Sequence, residues 1–252
     1  MNILDVEFFL LIFMRITSFF VAGPFFSMRG IPTIMKIGFS FAITVILYFT
    51  APEIILDINT PMIFYLLLIK EVLVGLTLGF ITNLVFISIQ MAGQLTDIQV
   101  GFSMSAMFDP VSQSSVSIFG RLYNWIGVVL FFTLNGHYFL LYFLAESFRI
   151  APLGLANISG IGMEYMITFF SRNFLIAFQM SIPIVLMIFM TDVIMGFIAR
   201  TVPQLNIFIF GLPLKALVGL LAFVVLLPQI VSMMIGVFED IPSTLNKIIQ
   251  LL

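Results

Sequence analysis

Long apolar stretches with very few charges dominate this sequence and restrict the folds open to it. Hydrophobic residues make up 62% of the 252 residues and charged residues 9%, whereas soluble domains have about 45–50% and 25%. A soluble monomer of this size cannot bury so much apolar surface, because surface grows too fast relative to volume. We therefore predict an all-α membrane protein whose apolar surface faces lipid or other subunits. The candidate helices run near residues 8–22, 37–51, 62–89, 122–145, 165–199 and 205–238.

Five charged residues lie within or at the edge of these apolar stretches. Each costs roughly 2.5–3.5 kcal/mol at the centre of a membrane helix, so each is expected to face a bundle interior, a subunit interface or water. Lys70 and Glu71 point in different directions on a helix and therefore need separate partners. We predict structural or subunit-interface roles, with the alternative that Glu71 or Asp192 titrates in function. The five residues are Arg15, Lys70, Glu71, Asp192 and Lys215.

The apolar stretches are uneven in length, and prolines interrupt the later ones. A helix crosses a bilayer with roughly 20 apolar residues, so the stretch at 37–51 is short for a span. Pro183, Pro213 and Pro228 lie inside later stretches, where proline is expected to kink or break a helix. No charged or Ser/Pro-rich linker divides the chain, and we predict a single domain over residues 1–252.

A polar segment over about residues 90–121 separates the third and fourth stretches. Gly93 and Gly101 permit close backbone approach, and Asp109-Pro110 is a turn signal, because proline disfavours helical geometry in the preceding residue. The segment is either a solvated connecting loop or a deformable apolar seal. Large apolar side chains favour the seal, since methionine is unbranched and repacks without one fixed geometry. These side chains are Met104, Met107 and Phe108.

A second dense segment, residues 196–215, ends one apolar stretch and begins the next. Arg200 suits a helix C-terminus, because the last carbonyl groups carry partial negative charge. Pro203 is expected to end that helix, and Gln204 with Asn206 can hydrogen-bond the exposed backbone. The pattern predicts a re-entrant or tightly turned connection in which these polar residues are structural.

Several classes of function lack the residues that they need. The chain has no cysteine and one histidine, His137, so it offers neither a thiolate site nor a histidine-based metal site. It contains no Gly-rich phosphate loop and no Gly-x-Ser-x-Gly elbow. The formal net charge of −2 provides no basic surface for nucleic acid. We predict a protein that is not an enzyme, has no cofactor or metal, and does not bind nucleic acid.

Short motifs occur in a fixed order along nearly the whole chain. They are Arg15 with Pro24 and Pro32, Lys70-Glu71 with Gly75 and Gly79, Ala92-Gly93-Gln94, Gly101-Phe102, Asp109-Pro110, Asn135-Gly136-His137, Glu146-Ser147-Phe148 and Ala151-Pro152-Leu153-Gly154. The strongest is Ala199-Arg200-x-x-Pro203-Gln204-x-Asn206-x-Phe208, followed by Gly211-x-Pro213-Leu214-Lys215. Each motif is weak alone, but their order and spacing resemble the FliR family of flagellar export-gate proteins, whose injectisome counterparts are called SctT.

The resemblance implies a component of the flagellar type III protein-export gate, in the bacterial inner membrane at the flagellar basal body. It implies assembly with FliP and FliQ into a closed pore in the membrane lipid, with FlhB wrapped around it. Unfolded flagellar proteins would pass through that pore. The resemblance also implies long, kinked helical hairpins stacked in a spiral, so that several apparent spans contact other subunits.

The resemblance further implies a plug over about residues 103–119 that blocks the lumen of the gate. The alternative function is a small-solute or proton-coupled membrane transporter. That class predicts a paired repeat of broken helices, and the sequence has no convincing internal repeat. The residues to which the resemblance assigns the plug are Phe102, Met104, Met107, Phe108, Asp109 and Pro110.

Overall fold

A computed structural model of the chain describes residues 3–24, 32–50, 60–102, 117–156, 160–202 and 207–251. Every regular element in these ranges is an α-helix, which confirms the predicted all-α class. The predicted spiral concerns an assembly and stays a prediction. The helices are α1 (Ile3–Ala22), α2 (Thr33–Tyr48), α3 (Pro61–Val100), α4 (Ile118–Thr133), α5 (Gly136–Ile150), α6 (Gly160–Thr201), α7 (Ile207–Glu239) and α8 (Ile241–Leu251).

Three described segments are long and apolar enough to cross a membrane, namely Pro61–Val100, Glu164–Thr201 and Ile209–Ile249. Helices α4 and α5 meet the same criterion only when they are taken together as one broken span. Helix α2 has 16 residues, and at about 1.5 Å per residue it is shorter than a bilayer core of roughly 30 Å. The six apolar stretches of the sequence therefore give three or four spans among the described residues.

The chain divides into two compact units, each built from separate parts of the sequence. Unit 1 comprises Met1–Val85, Asn135–Phe170 and Glu239–Leu252, and unit 2 comprises Phe86–Leu134 and Ser171–Phe238. The boundaries fall inside α3 and α6 and at the ends of α4 and α7. Continuous helix or a short turn joins the units at these four points, in keeping with a sequence that has no linker.

In unit 1, helix α2 buries its polar side and exposes its apolar side. Ser40 and Thr44 are fully buried, and their hydroxyl groups donate to the carbonyls of Lys36 and Ser40 one turn earlier. Ile34 and Ile46, by contrast, are 78% and 64% exposed. This is the reverse of a helix on a soluble protein, and it is typical of a helix that meets lipid or another apolar protein.

Aromatic rings fill the core of unit 2. Phe86, Phe131 and Phe238 contact one another with ring centroids 5.3 to 5.7 Å apart. Phe119 meets Phe223 edge-on at 5.5 Å. These rings come from α3, α4 and α7, so they pack the second half of α3 against the other two helices.

The prolines do not interrupt the helices as the sequence suggested. Helix α6 continues through Pro183, and α7 continues through Pro213 and Pro228, so the expected helix breaks at these positions are wrong. The alternative expectation, a kink at each proline, stays a prediction. The chain turns instead at Asn135, whose φ of 56° is left-handed, a conformation that asparagine tolerates better than most residues. That turn divides the predicted helix at 122–145 into α4 and α5.

Candidate functional site

A fully buried ion pair joins α1 and α3 in unit 1. The Nε atom of Arg15 lies 2.5 Å from an oxygen of Glu71, and neither side chain has any exposed surface. The Nη1 atom of Arg15 donates to the carbonyls of Ser147 and Ala151, at 3.1 Å and 2.9 Å. Its guanidinium also lies 4.5 Å from the ring centroid of Phe148. Arg15 therefore neutralises Glu71 and caps the C-terminal end of α5 at once.

The turn that follows α5 receives both members of the Lys70-Glu71 pair. The second carboxylate oxygen of Glu71 accepts the backbone N–H of Gly154 at 2.8 Å. The ammonium of Lys70 lies 3.5 Å from the carbonyl oxygen of the same glycine, whose φ of 75° is left-handed. Lys70 and Glu71 thus share Gly154 through different backbone atoms, and Glu71 also has Arg15 as a partner.

Two glycines on α3 bring the ion pair together. A Cβ atom at Gly75 would overlap the carbonyl of Arg15 and the hydroxyl of Ser18. One at Gly79 would lie 2.5 Å from the carbonyl oxygen of Phe19. The spacing of four residues places both glycines on one face of α3, where small residues allow membrane helices to approach closely. This close approach of α1 and α3 lets Arg15 and Glu71 pair in a fully buried position.

A second ion pair joins α6 and α7 in unit 2. The ammonium of Lys215 lies 2.5 Å from a carboxylate oxygen of Asp192, and both side chains are about one-quarter to one-third exposed. Asp192 was the candidate proton site of the transporter alternative, and its carboxylate contacts a cation within the protein. Arg200 lies exposed in the last turn of α6. Gln204 and Asn206 lie outside the described residues.

The end of α3 and the start of α4 meet at one buried carboxylate, that of Asp97. One oxygen of Asp97 accepts the backbone N–H of Phe119 at 3.2 Å. The other accepts the N–H of Gly120 at 3.3 Å and the hydroxyl of Ser117. The Ser117 hydroxyl also accepts the Gly120 N–H, at 2.9 Å, as the N-cap of α4. These contacts satisfy backbone donors that a helix start leaves without partners.

Two further contacts flank Asp97 at this junction, which we call the α3–α4 junction (Gly93, Asp97 and Phe102 with Ser117, Phe119 and Gly120). A Cβ atom at Gly93 would lie 2.5 Å from the backbone nitrogen of Gly120, so the two backbones touch, as the sequence suggested for this glycine. Phe102 stacks on Phe119 with centroids 6.1 Å apart. Contacts at Gly93, Asp97 and Phe102 therefore hold the junction together at three positions along the end of α3.

The predicted polar loop and plug are partly helical. Helix α3 extends to Val100 and α4 begins at Ile118, so the loop bounds of 90 and 121 are too wide and the plug bound of 119 falls within α4. Phe102 packs at the junction. The other predicted plug residues lie outside the described residues, namely Met104, Met107, Phe108, Asp109 and Pro110.

Asp97 was missed because the third apolar stretch was taken to end at residue 89, so this carboxylate was counted as part of a polar loop. A signal was present in the sequence. Leu95, Ile98 and Val100 keep the segment apolar enough to continue the helix, and a charge in such a helix calls for a partner.

These features define an all-helical membrane protein in which charged side chains pair inside an apolar bundle. The sequence model of the bacterial export proteins, family 1, matches residues 6–241. The flagellar biosynthetic protein FliR of Bacillus subtilis is 35% identical, over 96% of this chain and 95% of its own length. FliR of Aquifex aeolicus is 29% identical, over 96% and 93%. The secretion system apparatus protein SsaT of Salmonella typhimurium is 29% identical, over 63% and 61%.

The chain belongs to the bacterial export proteins, family 1. This membership confirms the resemblance drawn from the sequence motifs. It makes the chain a membrane component of a type III export apparatus.

Proposed function

We propose that this chain is a component of the flagellar type III export gate in the bacterial inner membrane, at the base of the flagellum. There it would form, with FliP and FliQ and beside FlhB, the closed pore through which unfolded flagellar proteins leave the cell. The observation that carries this proposal is the match to proteins named FliR over more than nine-tenths of the chain. The match to SsaT covers 63% of it, which supports the flagellar over the injectisome branch. The proposed role is structural, with no catalytic step.

The exposed surface of two long apolar segments supports assembly with other subunits. The most apolar windows of Glu164–Thr201 and Ile209–Ile249 are only 22% and 28% buried, against 61% for Pro61–Val100. Lipid can cover apolar side chains, but the partly exposed Asp192–Lys215 pair lies on the same two helices. Charged groups are costly against hydrocarbon, and neighbouring protein offers them a better environment.

We propose further that the segment with Met104, Met107 and Phe108 is the plug of this pore. Methionine and phenylalanine exclude water and ions, and methionine repacks around objects of different shape. An arriving unfolded chain would displace such a seal without a specific binding site. Asp109-Pro110 would supply the turn that returns the chain toward α4.

Deleting the gene from its host and restoring it in two forms tests this function. The natural chain should restore secretion of flagellar proteins and motility. A variant with residues 104–108 replaced by Gly and Ser should still assemble, but it should raise the resting ion conductance of the cell membrane several-fold, because the apolar seal is gone. A deletion strain that secretes flagellar proteins normally would refute the gate function, and an unchanged conductance would refute the seal.

A further inference from the structure

The α3–α4 junction contains a carboxylate with an unusual concentration of partners. Asp97 is 3% exposed, and its two oxygens accept from the Ser117 hydroxyl and from two backbone N–H groups of α4. Hydrogen bonds to an ionised acceptor are shorter and stronger than neutral ones. A negative charge at the start of α4 also interacts favourably with the positive end of the helix dipole. The carboxylate therefore binds the two helices together, and does more than complete one helix cap.

Contacts at Gly93 and Phe102 lie before and after Asp97 along the end of α3. Gly93 and Gly120 bring the backbones together on one side, and Phe102 stacks on Phe119 on the other. Phe119 in turn contacts Phe223 of α7, which ties the junction to the core of unit 2. Separating α3 from α4 would break all of these contacts and leave buried donors without partners, which costs far more than leaving an exposed group alone.

We propose that Asp97 is a positioning residue that keeps the α3–α4 junction closed both at rest and while a substrate passes. This proposal rests on the proposed export function. Phe102 follows the end of α3, and Ser117 precedes the start of α4. If their surroundings stay joined, the movement that admits a substrate takes place outside the junction. Asp97 then acts on export through the helices that it holds, without touching the substrate.

A reversible bridge across the junction tests this directly, because the natural chain contains no cysteine. The double variant Asp97→Cys with Ser117→Cys removes the carboxylate when reduced and replaces it with a covalent link when oxidised. In the deletion strain, the reduced variant should secrete at least about tenfold less than the natural chain, since several charge-assisted bonds are lost. Oxidation in washed cells should restore secretion to within about twofold, and dithiothreitol should abolish it again.

Each departure from that pattern overturns the proposal. Full secretion by the reduced variant means that the Asp97 carboxylate is dispensable, and a block on oxidation means that the junction must open. Failure of the two cysteines to link means that the positions do not meet. Should the double variant fail to accumulate, Ser117→Ala keeps the two backbone bonds to Asp97 and should lower secretion about threefold. It removes both hydrogen bonds of the Ser117 hydroxyl, the one donated to Asp97 and the one accepted from the Gly120 N–H. Unchanged secretion would refute the role.

Two comparisons separate this proposal from the export function itself. Glu164→Gln, at an exposed acid near the start of α6, should secrete like the natural chain and controls for loss of one acid. If the natural chain fails to restore secretion in the deletion strain, the export function is wrong, whatever the variants do. Linkage of the cysteines in purified membranes would still report on the junction in that case.

Discussion

Replacing Arg15 by alanine is expected to destabilise unit 1 by about 3–5 kcal/mol, the cost of leaving one member of a buried ion pair without its partner. Glu71 would retain the Gly154 N–H but lose its counter-charge in a region that no water reaches. The carbonyls of Ser147 and Ala151 at the end of α5 would lose their donor as well. We expect a large fall in the temperature at which the detergent-extracted complex that contains the chain loses its helical circular dichroism, and little protein in the membrane.

The chain provides a matched control for this substitution. Arg149 pairs with Glu146 one turn earlier on α5, and the Arg149 side chain is 77% exposed. Exposed pairs contribute little to stability, so Arg149→Ala should leave the transition unchanged. Replacing Arg15 and Glu71 together by Met and Leu should recover part of the loss, because no uncompensated charge remains. Equal stability of the Arg15→Ala and Arg149→Ala variants would contradict the importance of the buried pair.

Replacing Gly75 by alanine is expected to separate α1 from α3 by adding one methyl group. The new Cβ atom would overlap the carbonyl of Arg15, a backbone atom that cannot rotate aside. Overpacking of this kind costs about 1–3 kcal/mol, and here it also lengthens the Arg15–Glu71 contact. The midpoint of thermal unfolding of the detergent-extracted complex that contains the chain measures the effect, and Gly79→Ala should act in the same direction.

Glycines elsewhere in the helices distinguish steric contact from a general effect of glycine replacement. A Cβ atom at Gly38 of α2 or at Gly236 of α7 would meet nothing within 4 Å. Alanine is favoured over glycine inside a helix by roughly 0.5–1 kcal/mol, so both variants should be at least as stable as the natural chain. A Gly75→Ala variant as stable as these two would show that α1 and α3 are not in contact at this point.

The apolar pattern was sufficient to predict an all-α chain, but it missed α8 and did not separate α4 from α5. The charges embedded in it indicated that partners were needed. The pattern was not sufficient to predict which charges pair. Glu71 pairs with Arg15, which lies 56 residues earlier in the sequence. The two side chains meet only once α1 has packed against α3. The glycines that permit the packing were visible in the sequence, but no rule assigns them a neighbouring helix in advance.

The boundaries of helices were the weakest part of the sequence interpretation. Proline removes a hydrogen bond and clashes with the preceding turn, yet Pro183, Pro213 and Pro228 all lie within continuous helices. Membrane helices tolerate proline because neighbouring groups satisfy the freed carbonyls. The sequence did not indicate the turn at Asn135, because asparagine adopts left-handed geometry in some contexts and not in others.

Helix α2 shows why composition alone could not separate lipid from protein neighbours. Its buried side is made by Ser40 and Thr44, and its exposed side is as apolar as a lipid-facing surface. Its length of 16 residues is what argues against an ordinary span. A short helix with an exposed apolar side is expected where other subunits of a complex cover that side.

Extraction of the affinity-tagged chain from its host in mild detergent tests the central claim most directly. Because half-covered apolar helices and a partly exposed charge pair need neighbours, the chain should emerge bound to at least two other small membrane proteins, and should aggregate when it is expressed without them. Recovery of the chain by itself as a stable, monodisperse species that transports solutes into liposomes would contradict its assignment to an export gate.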